Sequence, residues 1–345
     1  MNKYDEIYNF RQAKLSDQEN IMKFIKLHWR ENHILGNDET FFKFEHGDGD
    51  KINFIICEDK KSNEITGIHG FIPYSFNKRN SHYCGVMTMV RKDVAIPLLG
   101  VELIKRFIQI TKYNTYCGIG TNPKTMVPLV KRVFRRFTGT MSHYYKLNPN
   151  NYDFKIAKIV QKSCIVTDCK TDSVEFIEIS SFTELKNTFE LNLEYRFLPF
   201  KEDWYLKKRY FDHPVYNYRV FVLTGTNKAI IIAREININN SKILRFVDFI
   251  GDIKMLSKID NFTDELLINE NYEYIDFLVG GLPTNYLVES GFTLKDEHTQ
   301  NIIPNYFEPF IQQNVEIWYE VSHENMIVFK GDADADRPNF YRERD

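Results

Sequence analysis

Residues 174–184, VEFIEISSFTE, set out the pattern on which the fold is built. Their first part, residues 174–179, alternates apolar and polar side chains, which predicts a β-strand. The S-x-x-E stretch at residues 181–184 is a capping-box sequence and predicts that a helix begins there. The same order occurs earlier in the chain, where an alternating stretch at residues 8–12 precedes Ser16-Asp17-Gln18-Glu19. The chain therefore contains one strand-and-helix pattern twice.

The elements that follow repeat as well. Each copy continues with a predicted hairpin, then a third strand, a helix, a strand apolar enough to be buried on both faces, and a short helix. In the first copy the hairpin strands are predicted at residues 53–57 and 65–71, the third strand at 83–90, the helix at 97–110 and the buried strand at 115–120. In the second copy the hairpin strands are predicted at 218–223 and 229–234, the third strand at 243–250, the helix at 255–267 and the buried strand at 274–279. We expect two α/β domains at residues 1–150 and 173–345, joined by a segment at 151–172.

Composition excludes several classes of protein. A length of 345 residues suits two domains, and 45 Lys plus Arg against 47 Asp plus Glu leave no basic surplus for nucleic-acid binding. No apolar run approaches the ~18–20 residues of a membrane helix, and the first residues contain no apolar signal region. Five cysteines without a CxxC pair argue against disulfides and zinc. We expect a cytoplasmic protein without a metal.

The order of elements resembles the GNAT acyltransferase superfamily, in which the fourth and fifth strands splay apart and admit the pantetheine arm of an acyl-CoA. The resemblance implies two tandem units, each a mixed, mostly antiparallel twisted sheet with flanking helices. Backbone N–H groups in the splay and at the next helix N-terminus suit a thioester and a pyrophosphate. Of the superfamily's [RQ]-x-x-G-x-[GA] pattern, residues 95–100 retain only Gly100. The second copy has acidic Asp252 there, so the first copy is expected to bind CoA.

The resemblance implies further CoA contacts around this helix. Asn122 resembles the asparagine that opens the superfamily's next motif, but the tyrosine often found a turn later is Leu129 here, which puts a tyrosine acid in doubt. Gly100 and Asn122 could also be an ordinary packing glycine and turn residue. A basic cluster follows, either a solvated helix face or a contact to the CoA 3′-phosphate. The cluster is Lys124, Lys131, Arg132, Arg135 and Arg136, and the expected CoA contacts are Met89, Val90, Arg91, Leu98, Leu99, Gly100, Asn122, Lys131 and Arg132.

Three stretches narrow the resemblance to tandem-GNAT sugar N-acyltransferases of polysaccharide and O-antigen (lipopolysaccharide) biosynthesis, namely residues 28–35, 204–218 and 329–339. The implied acceptors are nucleotide-linked amino-dideoxy sugars, such as a dTDP-linked 3-amino-3,6-dideoxyhexose. The implied acyl groups are acetyl and 3-hydroxybutanoyl. The residues expected to bind the sugar nucleotide are His33, Arg209, His213, Asp332, Asp334 and Arg337.

Each of these stretches also has a structural interpretation. The regions around Trp29 and Trp204 could be amphipathic helices whose aromatic side chains pack. The alternating acids from Asp332 could be a solvated acidic segment, or could bind sugar hydroxyls while Arg337 pairs with a phosphate. A calcium loop would need glycine where Arg337 stands.

Acyl transfer from a thioester to an amine needs a group that removes a proton from the nitrogen. Our first candidate is His69, on the predicted strand at residues 65–71 of the first copy, between Gly67 and Gly70, which would let a ligand approach closely. The second is Asp248, an acid in an apolar strand, where burial would raise its pKa. Either side chain could instead be a structural hydrogen-bonding group.

Two other functions are compatible with the same architecture. Aminoacyl-tRNA-dependent peptide-bond formers of cell-wall synthesis also use tandem GNAT units, but the net charge of −2 and the absence of a coiled-coil arm argue against a tRNA partner. A non-catalytic GNAT-fold binding protein would explain the eroded glycine pattern and the missing tyrosine. The sequence leaves the oligomeric state open.

Overall fold

The computed structural model describes residues 3–75, 81–94, 96–162, 174–191, 197–296 and 298–341. These residues form two compact units, the first from residues 1–118 and 337–345 and the second from residues 119–336. The domain boundaries expected at residues 150 and 173 rest on the repeated sequence pattern and stay a prediction. Cys164, Cys169 and Ala95 of the expected glycine pattern lie outside the described residues.

The first unit is built on a sheet in the order β1-β3-β4-β5-β6, with β2 beside β3. All neighbouring strands run antiparallel except β5 and β6, which are parallel. The strands are β1 (Tyr8–Lys14), β2 (Gly47–Asp48), β3 (Lys51–Asp59), β4 (Ile65–Ser75), β5 (His82–Val90) and β6 (Thr115–Ile119). The helices are α1 (Lys3–Ile7), α2 (Gln18–His28), α3 (Ile34–Asn37), α4 (Glu39–His46) and α5 (Leu99–Thr111).

Two apolar clusters hold the first unit together. Helices α2, α3 and α4 contribute Phe24, Leu35 and Phe42 to one cluster, with side chains from β3, β4 and β5. Helix α5 contributes the other, in which Leu103 and Phe107 lie on its buried face, as their spacing predicted. The sheet of this unit is therefore packed against two separate groups of helices.

The second unit repeats this plan in the sheet order β14-β8-β13-β12-β11-β10-β9, with β18 beside β13. Here β12 and β13 are the parallel pair. Strand β7 pairs antiparallel with β17, and β15 with β16 forms a two-stranded antiparallel sheet. The strands are β7 (Phe137–Thr140), β8 (Ser142–Leu147), β9 (Glu175–Ile179), β10 (Tyr218–Thr224), β11 (Lys228–Ile238), β12 (Ser241–Gly251), β13 (Tyr274–Gly280), β14 (Thr293–Leu294), β15 (Tyr306–Phe307), β16 (Phe310–Ile311), β17 (Trp318–Val321) and β18 (Val328–Phe329).

The helices of the second unit are short. They are α6 (Met126–Val133), α7 (Phe182–Thr188), α8 (Asp203–Leu206), α9 (Asp260–Asn269) and α10 (Asn285–Glu289). A π-helical turn, Lys207–Phe211, continues α8. The helix predicted at 255–267 is a 3₁₀ segment, Ile253–Lys258, followed by α9. The fold-class prediction of an α/β protein with two mostly antiparallel sheets, each containing a central parallel pair, is confirmed.

The two predicted helix starts differ in detail. At α7 the Ser181 hydroxyl accepts a hydrogen bond from the Glu184 N–H, and the Glu184 carboxylate accepts one from the Ser180 N–H. At α2 the Asp17 side chain caps no N–H group of the helix; it accepts a hydrogen bond from the Lys14 N–H at the preceding 3₁₀ turn and is held by Arg11. The serine capping box is therefore confirmed in the second copy only.

Within the described ranges, no helix is long and apolar enough to cross a membrane. The same ranges contain no group of three or more His, Cys, Asp or Glu side chains that could hold a metal ion. Cys57, Cys84 and Cys117 are buried thiols.

Candidate functional site

The parallel strands β5 and β6 of the first unit separate after a short paired stretch. They pair from His82 opposite Thr115 to Gly85 opposite Gly118, but β5 continues to Val90. Over this extension β5 stays paired with β4 along its other edge. Among the described residues, no strand pairs with the β6-facing edge of residues 86–90. The centre of the sheet therefore presents an open backbone edge, which can hydrogen-bond an extended ligand.

The N-terminus of α5 lies against this open edge. A Cβ added to Gly100 would lie 3.6 Å from Thr88 Cγ2 and 3.8 Å from Val90 Cγ2. Leu98, just before the helix, is exposed and has a φ of 64°, in the left-handed region that leucine rarely adopts. The N–H groups of a first helical turn lack intrahelical acceptors and favour anions. The open edge and the N-terminus of α5 are thus neighbours.

His69 contacts Thr88 at this edge. Its Nδ1 lies 2.8 Å from the Thr88 hydroxyl oxygen, and its ring packs against Phe107 at 4.9 Å between centroids. The side chain is 1% exposed, whereas Thr88 is half-buried. The flanking glycines make room for the protein's own side chains, since a Cβ on Gly67 would lie 2.9 Å from Leu103 Cδ1 and one on Gly70 2.8 Å from Val86 Cγ2. The expectation that they admit a ligand is corrected on this point.

The other expected CoA contacts in the first unit have mixed environments. Met89 and Leu99 are buried in the apolar clusters, and Val90 is half-buried at the end of β5. Arg91 follows Val90 and pairs with Glu64 at 2.8 Å and with Asp93 at 2.6 Å. Because both carboxylates are exposed, an incoming phosphate would have to compete with them for the guanidinium.

Three of the expected CoA contacts belong to the second unit. The Asn122 side-chain oxygen accepts hydrogen bonds from the Lys124 and Thr125 N–H groups and so caps the turn before α6. Lys131 and Arg132 are exposed in the last turn of α6. Arg136, from the same basic cluster, is buried and pairs with Glu320 at 2.7 Å. The cluster is therefore part solvated surface and part buried ion pair.

In the second unit, the corresponding gap between β12 and β13 is filled by the protein itself. These strands pair only from Leu244 opposite Ile275 to Phe246 opposite Phe277. Beyond this point residues 328–336, here called the closing segment, enter the gap. Its strand β18 pairs with β13, the Lys330 N–H donates to the Leu278 carbonyl at 3.2 Å, and the Gly331 N–H donates to the Val247 carbonyl at 2.6 Å. The backbone groups that are open in the first unit are thus occupied here.

A buried ionic network fixes the closing segment. Lys201 Nζ lies 2.7 Å from an Asp248 carboxylate oxygen and 2.8 Å from one of Asp332, and the Tyr210 hydroxyl donates to Asp248. Asp248 and Asp332 are both fully buried. Burial raises the pKa of Asp248, and Lys201 opposes that rise. These contacts give no support to Asp248 as a base or to Asp332 as a sugar ligand, because neither carboxylate reaches solvent.

The remaining residues expected to bind the acceptor in the second unit also have internal partners. Arg209 donates to the main-chain oxygen of Asp336, whose carboxylate is bound by Arg234. His213 Nδ1 accepts hydrogen bonds from two main-chain N–H groups, and its ring stacks on Tyr216. Asp334 is half-buried. Of the acids at positions 332, 334 and 336, Asp334 is the one with appreciable exposure.

In the first unit, Arg337 and His33 form a second buried group. Arg337 pairs with Glu45 at 2.7 Å, and its guanidinium lies 3.5 Å from His33 Nε2. His33 Nδ1 accepts a hydrogen bond from the Leu35 N–H and so caps α3. Burial, with Arg337 as a smaller cause, lowers the pKa of His33 to about 3. The phosphate predicted for Arg337 is replaced in this structure by the Glu45 carboxylate.

The sequence analysis missed a row of polar side chains on the second sheet. Tyr218, Arg234, Arg245 and Asp276 lie opposite one another on β10, β11, β12 and β13, so they share one face. Arg245 binds Asp276 through two nitrogens at 2.9 and 2.6 Å, and His143 Nε2 lies 2.9 Å from the same carboxylate. The sequence feature that could have predicted this row is the presence of charged residues inside otherwise apolar strands.

The fold is that of GCN5-related N-acetyltransferases. A GCN5-related N-acetyltransferase from Anabaena variabilis has 9% identity to this chain and a TM-score of 0.51, covering 91% of this chain and 72% of its own. A conserved protein of unknown function from Enterococcus faecalis, a probable N-acyltransferase, has 7% identity and a TM-score of 0.55. The match covers 91% of this chain and 71% of the Enterococcus faecalis protein. At these identities the likeness shows the fold alone. No protein-family model and no curated protein matches the sequence.

Proposed function

We propose that the protein is a cytoplasmic N-acyltransferase that uses an acyl-CoA. Its acceptor is the amine of a nucleotide-linked amino-dideoxy sugar, such as a dTDP-linked 3-amino-3,6-dideoxyhexose of O-antigen synthesis, and its acyl group is acetyl or 3-hydroxybutanoyl. The observation that carries the proposal is the contrast between the two parallel strand pairs. The β5 edge at residues 86–90 is open, whereas the closing segment fills the equivalent gap in the second unit. One acyl-CoA per chain follows, bound to the first unit.

In this mechanism the pantetheine arm lies along residues 86–90 and hydrogen-bonds to their backbone, which orients the thioester carbonyl and polarises it. The pyrophosphate binds at the N-terminus of α5, where Gly100 has no side chain to obstruct it. The sugar amine attacks the carbonyl carbon, the C–S bond breaks, and the CoA thiolate leaves. The amide product forms once the nitrogen has lost its extra proton.

Since His69 is buried, we place Thr88 between it and the substrate. The Thr88 hydroxyl accepts the proton from the nitrogen and passes its own to His69 Nδ1 over their 2.8 Å contact. His69→Gln and Thr88→Val should each lower kcat about 100-fold, and the double variant no further, because the two act as one relay. Wild-type kcat in either single variant would exclude the relay.

The proposal is tested by following thiol release from acetyl-CoA and 3-hydroxybutanoyl-CoA with dTDP- and UDP-linked amino sugars. The control acceptor is the same nucleotide sugar with a hydroxyl in place of the amine. Gly100→Ala should raise the KM for acyl-CoA about tenfold without lowering Tm, because its Cβ meets only ordinary contacts and alanine favours the helix. An unchanged KM for acyl-CoA in this variant would contradict pyrophosphate binding at the N-terminus of α5.

A non-catalytic CoA-binding protein is the second candidate, favoured by the burial of both predicted bases. For it we expect acetyl-CoA to raise Tm while no amino sugar releases thiol. Turnover with any one amino sugar excludes it.

A further inference from the structure

Lys330, in the closing segment of the second unit, is a buried lysine that pairs with no carboxylate among the described residues. Its side chain is 3% exposed and its Nζ lies 4.9 Å from the centre of the Tyr306 ring. In the part of the chain that the structure describes, no carboxylate or carbonyl oxygen accepts a hydrogen bond from Nζ. A buried ammonium in this position is costly unless an acceptor reaches it.

The carboxylates near Lys330 are already bound. The Asp276 carboxylate accepts hydrogen bonds from two nitrogens of Arg245 and contacts His143. The Asp336 carboxylate pairs with Arg234 at 2.6 Å. The two carboxylates near Lys330 are therefore already neutralised by Arg245 and Arg234, which leaves the Lys330 charge in surplus. Burial, followed by repulsion from Arg245, lowers the pKa of Lys330 to about 7, while Asp336 and Asp276 oppose that shift.

We propose that Lys330 binds the diphosphate of a nucleoside diphosphate, and that the second unit holds the acceptor by this group. The inference rests on the proposed function, because the diphosphate is the only permanent negative charge of a neutral-base nucleotide sugar. A phosphate oxygen supplies the acceptor that Nζ lacks, and the surplus cation of the cluster supplies the attraction. The Tyr306 ring that contacts Nζ is half-buried, as is Asp334 of the closing segment.

Anion binding by Lys330 is coupled to proton uptake. Near pH 7 part of the Lys330 population is neutral, and an anion that favours the ammonium raises the pKa, so the complex takes up a proton. The surrounding groups do not compete near pH 7. Burial keeps His143 and Tyr306 uncharged, while Arg245 and Arg234 keep Asp276 and Asp336 ionised. The arginines themselves stay charged.

The experiment is calorimetric titration of the full chain with dTDP and with UDP near pH 7, in two buffers of different ionisation enthalpy. We expect proton uptake in the wild type with at least one nucleotide. Lys330→Gln should raise the Kd for that nucleotide about 10- to 100-fold. Lys330→Arg should bind without proton uptake, because arginine is already charged. Lys242→Gln is the matched control, since Lys242 lies in the same unit and pairs with Glu235.

Lys330→Met, an apolar side chain of similar length, replaces Lys330→Gln if the latter does not fold. Wild-type nucleotide affinity in either variant overturns the proposal, as does a wild type that binds neither nucleotide. Acetyl-CoA is titrated in parallel and should bind all variants equally. Failure of the wild type to bind acetyl-CoA or to release thiol overturns the proposed function alone, because the nucleotide titration decides Lys330 separately.

Discussion

Replacing Gly331 by alanine tests the closing segment directly. A Cβ at this position would lie 2.6 Å from the Val247 carbonyl oxygen and 3.0 Å from the Tyr210 hydroxyl. The first of these atoms belongs to the backbone of β12, so the segment must move away and weaken the Gly331–Val247 hydrogen bond. Overpacking of this kind costs about 1–3 kcal/mol and the hydrogen bond about 1 kcal/mol. We expect a loss of about 3 kcal/mol.

For a unit of this size each kcal/mol lowers Tm by about 2–4 °C, so Gly331→Ala should melt about 6–12 °C below the wild type. Differential scanning calorimetry measures this. Gly225→Ala is the matched control in the same unit, because its Cβ would meet only side-chain atoms at 3.5 Å. A Gly331→Ala transition within 1 °C of both the wild type and this control would refute the tight insertion of the segment between β12 and β13.

Three further outcomes are expected. Folding lowers the pKa of His33 to about 3, so the free energy of unfolding falls as the pH drops from 6.5 towards that value. His33→Asn keeps the cap and should reduce this fall in the free energy of unfolding by about 1 kcal/mol between pH 6.5 and 5.5, as measured by urea unfolding. Arg337→Met leaves Glu45 buried without its arginine and should cost about 3–5 kcal/mol, which Glu45→Met in the same chain largely restores; full stability in the single variant contradicts the pair. Acetyl-CoA should bind once per chain by calorimetry, and a second site would contradict the filled β12–β13 gap.

Local sequence patterns predicted the secondary structure well. Both ends of β10 and the start of β11 match the predicted strands to within a residue, because alternation and a polar turn are properties of neighbouring residues, but β11 continues four residues beyond the predicted end at 234. Ser181 caps α7 for the same reason. The parallel central pairs also followed from apolar strands such as β13, which is buried along its whole length.

Side-chain environments depended on residues distant in sequence and could not be predicted in this way. The acids at Asp332 and Asp336 have the local pattern of a solvated segment, yet Lys201 and Arg234 neutralise them inside the second unit. Gly67 and Gly70 suggested access to His69, but Leu103 and Val86 take up the space that they leave. No local pattern marks Lys330, whose environment is set by β11, β12, β13, β15 and the closing segment.

The position of the closing segment also bears on biosynthesis. Residues 328–336 complete the sheet of the second unit, and Arg337 is required for the buried pair with Glu45 in the first. Both groups are translated after every other strand of the two sheets described here. Domains usually acquire their structure during synthesis in order from the N-terminus. During synthesis, therefore, the β12–β13 gap stays open and Glu45 lacks its arginine until residues 328–337 have been added and have left the ribosomal tunnel.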